Sequence, residues 1–302
     1  MDRLIDDFLP DLELSGRTEG TARHYRSCLS VFIKYLDGKK VLEVDKEILR
    51  GFIGYLKAQG TATKTIENYF SVLSSFYEYL AFEGKMAANP VIAVRKRYLR
   101  RYKDNNDGQA RKLISVADMA NLINCTLDIR DKAVITLLAK TGIRRHELVE
   151  LDVSDLDLIE NRIRLKPTAK RTNRTVFFDD ECSFILRRWL AIRQDTNKKG
   201  SSALFLNAEG ERLNRSGVYN LVVEAARRAG LHDPSSERLE DHFTPHCCRH
   251  WMCTHLFRAG VRREYIKELR GDSKKEAFDL CNHIDLKELK EAYMAATPQL
   301  RI

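Results

Sequence analysis

Apolar residues in the first ninety or so positions recur at the spacing of one helical face. Between Thr21 and Asp37, Tyr25, Cys28, Leu29, Phe32, Ile33 and Leu36 keep an i, i+3, i+4, i+7 rhythm. A second stripe runs through Ile66, Tyr69, Phe70, Leu73, Phe76, Tyr77 and Leu80, and five positions of the first recur in it 44 residues later. A shorter helix, residues 45–58, falls between them. Two similar helices do not make an array, so the pattern predicts a compact helical bundle. Further along, Ser115 offers a helix cap, residues 131–140 read as a helix closed by Thr141-Gly142, and another starts at Arg144. The period then shortens. Residues 157–159, 162–165 and 174–178, with a turn at Glu160-Asn161, predict three short antiparallel strands. Helical patterns resume over residues 181–193, 216–229, 244–259 and 285–296. The expected fold class is mainly α with a small three-stranded antiparallel β-sheet.

Length and charge add organisation to this pattern. At 302 residues the chain is comfortable for two domains. No apolar run approaches the roughly 18 residues of a membrane helix, and the acidic start MDRLIDDFLPDLEL lacks the form of a secretory signal. No membrane association and a cytoplasmic location are expected. Lys plus Arg number 52 against 43 Asp plus Glu, a net +9, which fits a polyanionic partner. Asn89-Pro90 ends the helical region. Residues 95–103 then set Arg95, Lys96, Arg97, Arg100, Arg101 and Lys103 among two tyrosines, followed by the polar stretch 104–108. This segment is either a solvated charge run or a basic strap along DNA phosphates. The expected division is a helical domain 1–94, a basic linker 95–111 and a second domain 112–302.

Chemistry concentrates in the second domain. Thr244-Pro245 reads as a helix N-cap and first helical position, which places His246 and Arg249 on one face, three residues apart. A guanidinium that grips two oxygens beside an imidazole that exchanges a proton suits a phosphate. Arg144 follows a glycine turn at a helix start, where backbone donors add to its attraction for an anion. Lys170 sits at the tip of the loop between the second and third strands, where it can swing into a cleft and protonate a leaving oxygen. The bland readings of these two are a salt-bridged surface arginine, paired with Glu147, and a solvated loop lysine.

Together, Thr141-Gly142-Ile143-Arg144-Arg145-His146-Glu147-Leu148, Lys170 and Thr244-Pro245-His246-Cys247-Cys248-Arg249-His250 resemble motifs of the tyrosine recombinase (phage integrase) family, with Lys166 a weaker candidate for the hairpin lysine. The resemblance covers nearly the whole chain. It implies a two-domain architecture, with residues 1–94 as the SAM-like core-binding domain and residues 112–302 as the catalytic domain. The implied activity is site-specific DNA recombination by phosphoryl transfer through a covalent 3′-phospho-protein link, with no metal and no cofactor. Arg144 and Arg249 would neutralise the nonbridging oxygens, His246 would assist proton removal from the nucleophile, and Lys170 would protonate the leaving 5′-oxygen. The implied partners are double-stranded DNA and further copies of the chain, as a dimer or tetramer on DNA.

Two positions depart from the family pattern. Where an L-G-H-like motif is usual, the chain has Leu269-Arg270-Gly271-Asp272-Ser273, so Asp272 takes the place of a second histidine or tryptophan. With Glu276-Ala277 and His283-Ile284-Asp285 downstream, this variant resembles an archaeal integrase-like branch. At the place of the nucleophilic tyrosine, 32 residues past Arg249, stands Cys281. Three readings are open there: an altered or inactivated copy, a working thiol nucleophile, or another tyrosine, Tyr293 before Tyr265, serving instead. A buried structural thiol is the bland reading. Two rivals from other classes stand beside the recombinase. One is a zinc site drawn from His246, Cys247, Cys248, His250, Cys253 and His255, and the other is a DNA-binding protein without catalysis.

Overall fold

A computed structural model describes residues 2–99, 113–167, 174–272 and 284–302. By its internal contacts the chain divides into two compact units, residues 1–108 and 109–302. Among the described residues no helix is long and apolar enough to cross a membrane.

The first unit is all helix: α1 (Asp2–Leu14), α2 (Glu19–Leu36), α3 (Lys46–Ala58), α4 (Thr63–Phe82) and α5 (Val91–Tyr98). Thr18 and Asp45 cap α2 and α3, the Asp45 carboxylate accepting the backbone N–H groups of Glu47 and Ile48 at 2.9 Å. The two predicted stripes meet in the core: Leu29, Phe32 and Leu36 pack with Phe70, Leu73, Phe76 and Leu80, all buried. The expected linker begins too early. Val91, Val94 and Leu99 are buried in this same core, so α5 belongs to the first unit and Arg95, Lys96 and Arg97 ride on a helix. The basic run hid the apolar spacing of 91, 94 and 99 beneath it.

The second unit is built around α7 (Ile129–Thr141), buried on every side from Ala133 to Thr141 and packed against α9 (Asp180–Thr196) and α11 (Pro245–Arg258). Gly142 ends α7 in the left-handed conformation, at φ 60, under the side chain of Met252. Around this centre lie α6 (Val116–Asn124), α8 (Arg145–Glu150), α10 (Arg215–Arg228), α12 (Arg263–Arg270) and α13 (Leu286–Ala296). Three antiparallel strands, β1 (Leu156–Asp157), β2 (Arg162–Leu165) and β3 (Arg174–Phe177), pair in sequence order, with Ile163 opposite Val176 and Leu165 opposite Arg174. The first strand ends sooner than residues 157–159 predict. The Asp157 carboxylate accepts the N–H groups of Ile159 and Glu160 at 3.2 and 3.0 Å, which turns the chain and leaves Ile159 91% exposed.

The C-terminal segment is tied to its own unit. Lys140, fully buried, reaches Asp179, Glu181 Oε2 at 2.7 Å and the Pro298 carbonyl at 2.7 Å, and Glu181 accepts the Leu300 N–H at 2.9 Å.

Candidate active site

Three segments far apart in sequence bring their polar groups to one place: the turn after α7, the first turns of α11 and the end of α12. Thr244 is extended and Pro245 opens α11, as the sequence predicts, so His246 and Arg249 share a face. Arg249 is 3% exposed. Its Nη1 donates to the Gly142 carbonyl at 2.7 Å and its Nη2 to the Arg270 carbonyl at 2.7 Å. Arg144 Nη1 donates to that same Arg270 carbonyl at 2.8 Å. The two guanidiniums are thus held on one backbone oxygen, and Asp272 Oδ1 stands 3.5 Å from the Nη2 atoms of both. Burial, and then the positive charge of Arg144, pull the pKa of Arg249 down to about 10.

Arg144, Arg249 and His246 open into one cleft of about 480 Å³. Arg145, His146, Arg215 and Tyr219 line it as well, with the Arg145 guanidinium 5.7 Å from the centre of the Tyr219 ring. Sequence reasoning passed over these four. The adjacency of Arg145 and His146 to Arg144, and the place of Arg215 at a helix start, were the available signals. The His246 ring stands edge-on to His250 at 4.8 Å.

Beneath the cleft lies a buried ion pair that the sequence reading also missed. Arg174, the first residue of β3, donates from Nη1 and Nη2 to the two carboxylate oxygens of Glu147 at 2.8 and 3.0 Å, and from Nε to the Leu269 carbonyl at 3.2 Å. Glu147 in turn accepts the Arg144 N–H at 2.7 Å, so that backbone donor is taken by protein. Burial disfavours the charged carboxylate of Glu147, but the hydrogen bonds and charge of Arg174, with those of Arg144, outweigh it and hold its pKa at about 2.

The other expected positions are dispersed. Tyr293 is 1% exposed, and its hydroxyl donates to the Lys140 carbonyl at 3.1 Å. Burial, then the charge of Asp179, raises its phenol well above the usual range. Tyr265 is buried too, its hydroxyl 2.7 Å from Glu288 Oε2. Neither substitute tyrosine lines the cleft. Lys166 is held by Asp152 and Asp155 at 2.5 and 3.5 Å and does not line the cleft. Lys170, Cys281, Arg100, Arg101 and Lys103 lie outside the described residues. Cys247 and Cys248 face the core, and among the described residues no three His, Cys, Asp or Glu side chains gather as metal ligands would.

The description "phage integrase family" fits residues 107–285, and "phage integrase, N-terminal SAM-like domain" fits residues 5–84. The chain belongs to the phage integrase family. A tyrosine recombinase XerC from Herpetosiphon aurantiacus is 30% identical to this integrase-family chain over 296 residues, covering 94% of it and 91% of the relative. Two solved structures share the fold of this family member. The Tn1549 transposon integrase in complex with transposon right-end DNA has a TM-score of 0.71 at 18% identity, covering 96% of this chain and 98% of that one. A λ integrase tetramer bound to a Holliday junction has a TM-score of 0.70 at 15% identity, covering 97% and 77%. The integrase-family chain therefore has the two-domain recombinase architecture, a helical unit followed by an α+β unit.

Proposed function

We propose that this chain is a site-specific DNA strand transferase acting on double-stranded DNA in the cytoplasm, as a dimer or tetramer assembled on its site. The observation that carries this reading is the pair of guanidiniums, Arg144 and Arg249, fixed on the Arg270 carbonyl at the wall of a cleft that His246 shares. Two preorganised guanidinium forks stabilise the charge that builds on the nonbridging oxygens of a phosphodiester as a nucleophile attacks phosphorus. His246 takes the nucleophile's proton, a 3′-phospho-protein bond forms, and the 5′-oxygen leaves with a proton from Lys170. Attack by a 5′-hydroxyl of a partner strand reverses the step. Asp272 lies between the arginines before DNA arrives, a carboxylate that offsets their mutual repulsion. On the first unit Arg95, Lys96 and Arg97, with Arg100, Arg101 and Lys103 after them, contact backbone phosphates.

Cys281 stands at the nucleophile position. A thiol ionises more readily than a phenol, with reference pKa values of about 8.5 and about 10, but its reach is shorter by about one ring. The reading that follows is a phosphate cradle of Arg144, Arg249 and His246 served by an altered nucleophile. Covalent trapping on a nicked suicide DNA duplex tests this. The Cys281→Tyr chain is expected to form a protein–DNA adduct and the present chain none. An adduct with the present chain that Cys281→Ala abolishes makes the thiol itself the nucleophile. No adduct with either, while both bind DNA, replaces strand transfer with DNA binding alone.

A further inference from the structure

We propose that Arg174, buried behind the cleft, is a positioning residue that sets the phosphate-binding geometry of Arg144 and Arg249. It makes no contact with the cleft itself; the lining residues do not include it. Its three hydrogen bonds instead join the parts that hold the two cleft arginines. Through both carboxylate oxygens of Glu147, at 2.8 and 3.0 Å, it fixes the acidic group that accepts the Arg144 N–H at 2.7 Å. Through the Leu269 carbonyl, at 3.2 Å, it pins the last turn of α12, whose next carbonyl, that of Arg270, receives both Arg144 and Arg249.

Like charges a few ångströms apart spread unless each is anchored. Here the anchor is a main-chain oxygen, and its position depends on the path of residues 269–271. Gly271 makes the arrangement possible. Its φ is +61, and a Cβ at that position would stand 2.5 Å from Arg174 Nη1 and 2.7 Å from its Cζ, so only glycine lets the loop close over the guanidinium. Arg174 also opens the strand that follows the loop carrying Lys170, so one side chain ties that strand to α8 and α12. A lysine has the charge but lacks the fork that serves two carboxylate oxygens and a carbonyl together.

This inference deepens the strand-transfer reading and rests on it for the identity of the anion, so the test uses an anion apart from DNA. Tungstate, a tetrahedral dianion, is titrated calorimetrically into the full chain and into its Arg174→Gln and Arg174→Lys variants, at a temperature well below unfolding. Both variants are expected to bind it at least tenfold more weakly while still folded. A residue that merely held the fold together would lower the unfolding midpoint and leave the affinity of the folded protein unchanged. Unaltered affinity in Arg174→Gln, full recovery by Arg174→Lys, or no tungstate binding by the parent chain overturns the proposal. Should Arg174→Gln fail to fold, Gly271→Ala presses on the same guanidinium from the other side. It is expected to weaken binding likewise, and unchanged binding there is equally fatal. Adduct formation by Cys281→Tyr is scored separately. A chain that binds tungstate in an Arg174-dependent way yet forms no adduct loses strand transfer and keeps this assignment.

Discussion

The two units solve the problem of a core in different ways. Every buried polar or charged residue among those described lies in the second unit, including Lys140, Glu147, Arg174, Asp179, Arg193 and Arg249. The first unit buries no charged side chain among its described residues, its enclosed Tyr77 hydroxyl donating to the Val41 carbonyl at 2.9 Å, and keeps its cations at the surface. A core without charges follows mainly from hydrophobic burial and tolerates loose matching of its side chains. A core threaded by guanidiniums, an ammonium and carboxylates holds only if each is matched, because an unmatched buried charge costs far more than a lost methyl group. The second unit carries that burden around the cleft that Arg144, Arg249 and His246 share.

The contrast is sharpest at Lys140. Lys140→Ala leaves Asp179 buried without its partner and is expected to destabilise the chain by about 3–5 kcal/mol in urea unfolding. A loss under about 1 kcal/mol would mean that the buried cluster is dispensable. Next comes Arg249→Gln in the Cys281→Tyr background, where adduct formation should slow by roughly a hundred- to a thousand-fold with DNA affinity little changed. A variant that cleaves within a few fold of its parent breaks the assignment of Arg249.

Glu147 gives the contrast a pH signature. Its carboxylate titrates at about 2 in the folded chain, below the ordinary 4.5. As pH falls the unfolded chain takes up this proton first, so the stability Glu147 contributes is complete above about pH 4.5 and declines as pH falls towards 2. The stability deficit of Glu147→Gln should therefore shrink over that window, as read by urea unfolding at stepped pH, and a constant deficit contradicts the pairing with Arg174. The smallest effect belongs to the first unit. Lys96→Ala should leave folding within about 0.5 kcal/mol while lowering the salt dependence of DNA binding by about one ion. An unchanged salt slope takes Lys96 out of the DNA interface.

The same contrast governs what could be read from the sequence. The helices of the first unit were legible because Leu29, Phe32, Phe70 and Phe76 obey a single period, and burial follows period when nothing polar competes. Arg144, His246 and Arg249 each lie in a local motif of the chain that singles them out, and the structure brings the three to one cleft. Arg174 and Glu147 were not legible as a pair, since they stand 27 positions apart and nothing nearby marks either as buried. The helix α12 escaped for a related reason. It is short, and its charged residues outnumber Tyr265, Ile266 and Leu269, the three that face inward, so its one apolar stripe spans barely more than a turn.

The acceptor shared by Arg144 and Arg249 belongs to the main chain. A change of side chain at residue 270 therefore leaves in place the carbonyl that steadies the two cations and removes only the 3.3 Å pairing of Arg270 with Asp272. The neighbouring glycine, which has no such freedom, is where a harmful inherited change would register.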